Sequence, residues 1–345
     1  MSRFKTRDDF DAADPSVEGS WRKNPQVWGK PLDFWTRFAL VWLMAITVTG
    51  AAVRLTGSGL GCTDWPTCSV NTELEAPGFH SAIEFGNRMI SGLAIIPVIA
   101  AFIGARRSRR DLLAVIYLTV FGFLGQVVLG MLVTRTELDP RVVIGHFLLS
   151  IVLIFLGVVM DYRARNPRTP ASRLPAPNAH ELKRRLLARA MLFSATAVIV
   201  AGTFVTGSGP HTGSEASGEP IPRLGFDIRE ISRIHSILGW VLVVLIVAGM
   251  WQARKVQRVS ETRQAWSSID QDWFGRIGGL ALLQGAIGYL QYGIGVPVGL
   301  VALHIAGSVL LWTAISWYAM VASDPPNDWF RHGNSPRTTS MSTQP

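Results

Sequence analysis

Eight apolar stretches of about 20 residues, the length that a hydrocarbon core of roughly 30 Å demands of a helix, leave this chain few folds to choose from. They fall near residues 35–54, 82–104, 112–133, 142–161, 187–207, 232–251, 275–294 and 297–319. A segment in lipid must satisfy its own backbone polar groups, so each stretch is expected as a helix and the whole as an all-α integral membrane protein. Composition agrees: 48% of the 345 residues are hydrophobic and 17% charged, too apolar a balance for a soluble domain of this size. Met1 to Lys30 is polar and lacks the apolar core of a cleaved signal, so the first helix is expected to stay as an anchor.

A net charge of +9 would point a soluble protein toward nucleic acid, but here the distribution of charge matters more than its sum. Basic residues crowd three connections: Arg106, Arg107, Arg109 and Arg110; Arg163, Arg165, Arg168, Arg173, Lys183, Arg184 and Arg185; and Arg254, Lys255, Arg258 and Arg263. The alternate connections are sparse in them. The positive-inside rule makes the crowded loops and both termini cytoplasmic, and these arginines read as topology determinants and lipid contacts rather than a nucleic-acid surface.

An internal repeat divides the chain. Gln126 stands twenty residues before His146 and Gln284 twenty before His304, and each glutamine is followed four residues later by a glycine, Gly130 and Gly288. Thr56-Gly57-Ser58-Gly59 after the first helix matches Thr206-Gly207-Ser208-Gly209 after the fifth. Each half has an even number of helices and begins inside, so two tandem pseudo-symmetric four-helix bundles are expected, related by an axis along the membrane normal. The expected organisation is a tail at 1–34, a first bundle at 35–161, a Pro- and Arg-rich linker at 162–186, a second bundle at 187–320 and a tail at 321–345.

Polar residues on this frame carry the chemistry. His146, His235 and His304 each fall in the first turns of a helix running inward, so they share a depth toward the outer side. Ionisable groups within a membrane are costly and mark functional sites by default. Facing imidazoles on two helices of a bundle, His235 and His304, can ligate one haem iron from both sides, as an electron-transfer centre does. In the first half Asn87 stands where His235 stands in the second. His80, Glu84 and Asn87 are spaced i, i+4, i+7 on one helical face, and Arg88 lies within reach of either Glu84 or a haem propionate. An iron held from one side beside a carboxylate can present a substrate to chemistry. The only cysteines, Cys62 and Cys68, share the first outward loop; a disulfide there would contribute roughly 2 kcal/mol, and a redox-active dithiol is the competing reading.

These residues carry a resemblance. The stretch Thr49-Gly50-Ala51-Ala52-Val53-Arg54-Leu55-Thr56-Gly57-Ser58-Gly59-Leu60-Gly61-Cys62, with Trp65-Pro66, Cys68 and Glu84-Phe85-Gly86-Asn87-Arg88, resembles the haem A synthase family over about residues 35–320. Val205 to His211 and the Leu303-His304 start of the last helix are also similar to it. The resemblance implies oxidation of the ring D methyl group of haem O to a formyl group, making haem A for cytochrome oxidase. It further implies a haem b cofactor on His235 and His304, a haem O site in the first half with His146 as ligand and Glu84 catalytic, and a disulfide between Cys62 and Cys68. Much of the family has a histidine at the position of Asn87. The departure leaves three arrangements open: His80 substitutes, His146 alone ligates, or Asn87 holds a water.

The location that the resemblance implies is a prokaryotic-type inner or plasma membrane, with the haem sites toward the extracytoplasmic side. The implied partners are haem O and haem A, the lipid bilayer, a redox partner of unknown kind, and in the wider assembly the haem O synthase and oxidase assembly factors. Two competing functions use the same residues: a two-site b-type cytochrome exchanging electrons with quinone, and a haem carrier.

Overall fold

The computed structural model describes residues 24–62, 64–68, 78–167, 178–214, 221–256 and 261–324. Residues 1–23 and 325–345 of the expected tails and 168–177 of the expected linker therefore lie outside the described residues. A two-residue hairpin, β1 (Gln26–Val27) and β2 (Lys30–Pro31), precedes the first helix. Its turn residues Trp28 and Gly29 both have positive φ, as a tight hairpin turn demands. Trp35 Nε1 donates to Val27 O at 2.9 Å and pins the hairpin to helix α1 (Leu32–Leu55).

Helices account for nearly all the rest. The second apolar stretch, expected as one helix, is two: α2 (Phe79–Leu93) and α3 (Ile95–Ser108). Pro97 is the cause, because it cannot donate to the carbonyl of Leu93 four residues earlier and its ring crowds that carbonyl. A 3₁₀ turn (Arg110–Leu112) leads into α4 (Leu113–Arg135). Helix α5 (Pro140–Arg165) starts with proline at its first position and Asp139 as N-cap, accepting from Arg141 N. Helix α6 (Ala179–Ser208) begins with a capping box formed by Asn178 and Glu181. Helix α7 (Ile228–Val256) is opened by Asp227, whose carboxylate accepts from Arg229 N and Glu230 N. Helix α8 (Glu261–Gly293) joins α9 (Val298–Ser323) through a tight turn in which Gly295 and Val296 take positive φ.

Seven helical spans among the described residues are long and apolar enough to cross a membrane, α2 and α3 together making one of them. Helix α8 is the eighth helix expected, but Arg276, Gln284, Gln291 and six glycines between 275 and 293 dilute its apolar character. Large apolar side chains point outward along the spans, among them Phe121, Leu124, Val244, Val247 and Leu282. Such a surface suits lipid and not water.

The largest apolar cluster runs through the second half and continues across the seam onto α1 and α5 of the first. Leu40 and Leu43 of α1, Ile154 and Val158 of α5, Met191 of α6 and Trp312 and Ile315 of α9 belong to it. Trp312 Nε1 crosses the seam to donate to Ile151 O at 3.0 Å. At the end rich in basic residues, buried carboxylates fasten the helices. Asp161 accepts from Thr36, Arg37 and Arg165, Asp270 from Arg184, and Asp324 from Arg163. Two of the arginines that read as topology determinants, Arg163 and Arg184, thus also form ion pairs with aspartates far away in sequence, which the sequence pattern does not reveal, whereas the Arg165 pair with Asp161 lies within α5.

Candidate functional site

The two histidines of the second half come face to face. His235 stands two turns into α7 and His304 nearly two turns into α9; their ring centroids are 6.2 Å apart with planes at 70°. Two metal–imidazole bonds of about 2 Å, each extended from nitrogen to ring centre, span about 6 Å, so the gap is one metal atom wide. The His235 Nδ1 hydrogen-bonds to Val198 O at 2.9 Å, which fixes the ring and leaves Nε2 for another partner. The Nδ1 of His304 is buried and makes no hydrogen bond of normal geometry.

Glycines give these rings their room. A Cβ added at Gly202 of α6 would lie 3.0 Å from His235 Cε1, and one at Gly288 of α8 would lie 3.3 Å from His304 Cε1. Each ring therefore rests on bare helix backbone. Among the described residues no group of three or more His, Cys, Asp or Glu could hold a bare metal ion. A metal between His235 and His304 would have to bring its remaining ligands, as porphyrin iron does.

His146 of α5 repeats part of this arrangement. A Cβ at Gly130 would lie 3.6 Å from its Cε1, and its Nδ1 is likewise buried without a hydrogen bond of normal geometry. Gln126 Nε2 donates to His146 O at 3.0 Å and to Ser150 Oγ at 2.7 Å, which ties α4 to α5 beside the ring. The glycine and histidine that recur in the sequence thus meet in the same way in both halves.

Helix α2 carries the remaining candidates. Asn87 comes eight residues after the first residue of α2, as His235 comes seven after the first of α7, and its Oδ1 accepts from Thr49 Oγ1 at 2.9 Å. His80 is seven residues nearer the helix start, about 10 Å away along the axis, and its Nδ1 hydrogen-bonds with Ser58 Oγ at 2.9 Å. Glu84 is only 6% exposed. Its Oε2 accepts from Cys62 N at 2.9 Å and its Oε1 from Arg88 Nη2 at 2.5 Å. Arg88 also donates through Nη1 to Asp64 O and Thr67 O. Cys62 and Cys68 form a disulfide that closes this loop. Glu84 and Arg88 therefore clamp the disulfide loop onto α2, and of the two partners open to Arg88 the carboxylate is the one it takes here. No hydrogen bond or ring contact among the described residues joins His146 to His80, Glu84 or Asn87.

The two halves differ in closure as well. In the second, α6, α7, α8 and α9 pack in a ring, each on the next and α9 back on α6. In the first, α3 packs on both α1 and α4, whereas α2 packs on α1 and makes no comparable contact with α4 or α5. The end of that half away from the basic connections is therefore open between α2 and α4. Two participants escape a sequence reading: Thr49 and Gly202. The signal for Gly202 was present, a small residue one turn before the Thr206-Gly207-Ser208-Gly209 landmark.

Comparison with known proteins places this architecture. The family model COX15-CtaA, described as cytochrome oxidase assembly protein, matches residues 33–77 and 69–316. The heme A synthase of Geobacillus thermodenitrificans is 29% identical over 137 residues, 39% of this chain and 43% of that protein. The heme A synthase of Exiguobacterium sibiricum is 25% identical over 227 residues, 62% of this chain and 72% of that protein. An 81-residue stretch is 42% identical to the protoheme IX farnesyltransferase of Thermus thermophilus, covering 21% of this chain and 13% of that protein. The match thus spans less than half of the Geobacillus protein and a small part of the Thermus one. With the family match running through nearly every span, from α1 to α9, this multi-pass chain belongs to the COX15-CtaA family of cytochrome oxidase assembly proteins.

Proposed function

We propose that this chain is a haem A synthase, which oxidises the ring D methyl group of haem O to a formyl group. The observation that carries the reading is the inequality of two similar sites: facing His235 and His304 in a closed ring of helices, and His146 alone in a half open at α2. The first arrangement suits a resident cofactor, the second a molecule that must enter and leave. Local packing supports a pseudo-symmetric origin, since Gly130 meets His146 as Gly288 meets His304. The basic loops support a topology with both termini cytoplasmic and both sites toward the extracytoplasmic side.

In the second half His235 and His304 would hold haem b from both sides, with Gly202 and Gly288 clearing the rings. Bound there, haem b would supply one-electron redox chemistry. In the first half His146 would hold the substrate iron. His80 lies about 10 Å too far outward to match the depth at which His235 lies in α7 and is committed to Ser58, so Asn87 is the residue on α2 at ligand depth. Its amide can anchor a water or a porphyrin substituent. Conversion of methyl to formyl breaks two carbon–hydrogen bonds and adds one oxygen atom; with water as the oxygen source it releases four protons and four electrons, the electrons passing to an external redox partner. Glu84, held between the Arg88 guanidinium and the Cys62 N–H, is the buried carboxylate of α2 that can stabilise positive charge at that carbon or accept its proton. A tailed porphyrin would pass laterally from lipid between α2 and α4.

The likeness of one segment to a protoheme IX farnesyltransferase supports a substrate that comes from such an enzyme. The test is pigment extraction from membranes expressing this chain with a supply of haem O. Haem A should appear. Haem O recovered unchanged beside a normal haem b spectrum would overturn the enzymatic reading and favour a b-type cytochrome.

A further inference from the structure

Two arginines, one from each half, meet at the outer end of the seam, and no carboxylate among the described residues pairs with either. Arg54 closes α1 and donates through Nη2 to Thr206 O at 3.0 Å and to His211 O at 2.8 Å. Arg223 lies on the strap between α6 and α7 and donates through Nη2 to the same Thr206 O at 2.6 Å. Sharing one acceptor puts the two nitrogens less than about 6 Å apart. Neither arginine has an ion pair among the described residues, and Arg223 Nε is buried with no hydrogen-bond partner. Two like charges at this distance repel, and burial lowers the Arg223 pKa from its ordinary value, so an anion bound between them would stabilise the pair.

The surroundings hold both side chains in place. Leu224 N donates to Gly207 O at 3.2 Å, and a Cβ at Gly207 would collide with the Leu224 side chain, so the strap is seated on the end of α6. A Cβ at Gly213 would lie 3.1 Å from Arg54 Cγ, which leaves the Arg54 stem little freedom. Thr206 Oγ1 donates to Gly202 O at 3.0 Å, and Gly202 is the residue under the His235 ring. The guanidinium pair thus lies one helical turn, about 6 Å, outward from the level of that ring. A porphyrin carries its two carboxylates on one edge, several ångströms from the metal.

We propose that Arg54 and Arg223 form an anion site, built jointly by the two halves, that receives a carboxylate of the porphyrin held by His235 and His304. This deepens the haem-binding reading and rests on it. A carboxylate there supplies the missing counter-charge, takes up the idle Arg223 Nε–H and fixes the porphyrin edge toward the seam. The pair then acts as a positioning device, and it links the first half to the cofactor of the second.

Full-length protein made without haem and loaded in detergent with protohaem or its dimethyl ester tests this, read by the low-spin bis-histidine spectrum, which reports the second half alone. Wild type should hold the acid about tenfold or more tighter than the ester, the worth of a hydrogen bond to a charged group. Arg54→Gln and Arg223→Gln should each bring that ratio toward one, and Arg223→Lys should keep part of it. Because the ratio compares two porphyrins on one preparation, general damage from the loss of a helix-capping contact cancels. Equal binding of acid and ester by wild type, as expected were the arginines to hold phosphate or a lipid headgroup, would overturn the assignment. So would undiminished discrimination in both glutamine variants. Uptake of neither porphyrin by wild type would instead sink the haem-binding reading on which it rests.

Discussion

The first and second halves of this protein use the same parts to different ends. In both, a glycine on the helix before the tight turn supports a histidine on the helix after it, Gly130 with His146 and Gly288 with His304. In the second half the opposing helix α7 supplies His235, 6.2 Å from His304 between ring centroids, and packs on both its neighbours. In the first the opposing helix α2 supplies Asn87, turned to Thr49, and leans on α1 alone. A single exchanged residue and a helix that packs on one neighbour instead of two separate an open site from a closed one. Pro97 contributes, because the break at Ala94 separates α2 from α3, which stays packed on α1 and α4.

The comparison can be broken most directly at the histidines. His235→Ala or His304→Ala should abolish the low-spin haem spectrum, while His146→Ala should leave it intact; equal loss in all three would erase the distinction between the halves. Glu84→Gln should cut haem A formation by about two orders of magnitude or more, the usual worth of a positioned acid or base, with the haem b spectrum unchanged. Asn87→His should give the first half a second imidazole and add a new low-spin signal on loading with porphyrin, with loss of product; no new signal would mean that α2 stays too far from His146.

Smaller effects sharpen the picture. Cys62→Ser opens the disulfide loop and should cost about 2 kcal/mol of stability, seen as a lower midpoint of thermal unfolding. It should lower activity as well, since Glu84 accepts from the backbone of that residue. The glycines provide the finest gradation. Gly202→Ala, with its Cβ 3.0 Å from His235, should shift the haem b spectrum by tilting the ring, whereas Gly130→Ala, at 3.6 Å from His146, is an ordinary contact and should change little. A larger effect at Gly130 than at Gly202 would show that the first half is the more tightly fitted one.

Much was legible in the chain because a membrane enforces local rules. The helical spans and the repeat of Gln126 and His146 as Gln284 and His304 follow from hydropathy and spacing, which depend on neighbours in sequence; the starts of α6 at Ala179 and α8 at Glu261, earlier than the expected 187 and 275, do not, because polar helical turns carry no hydropathy signal. The caps at Asp139, Asn178 and Asp227 are of the same kind. The break at Ala94 was also written locally, in Pro97, but an apolar run through it masked the signal.

What the sequence by itself determined is therefore the set of helices, their order and the depth at which each polar residue lies along them, because rise per residue and the need to satisfy backbone polar groups act within a single segment. Tertiary structure alone decided which of those residues meet. It set His235 against His304, committed Arg88 to Glu84 and the disulfide loop, turned His80 to Ser58, and brought Arg54 and Arg223 to one carbonyl. The rotation of a helix about its axis and the identity of its neighbours are fixed by packing against partners tens to hundreds of residues away, and no local pattern encodes that.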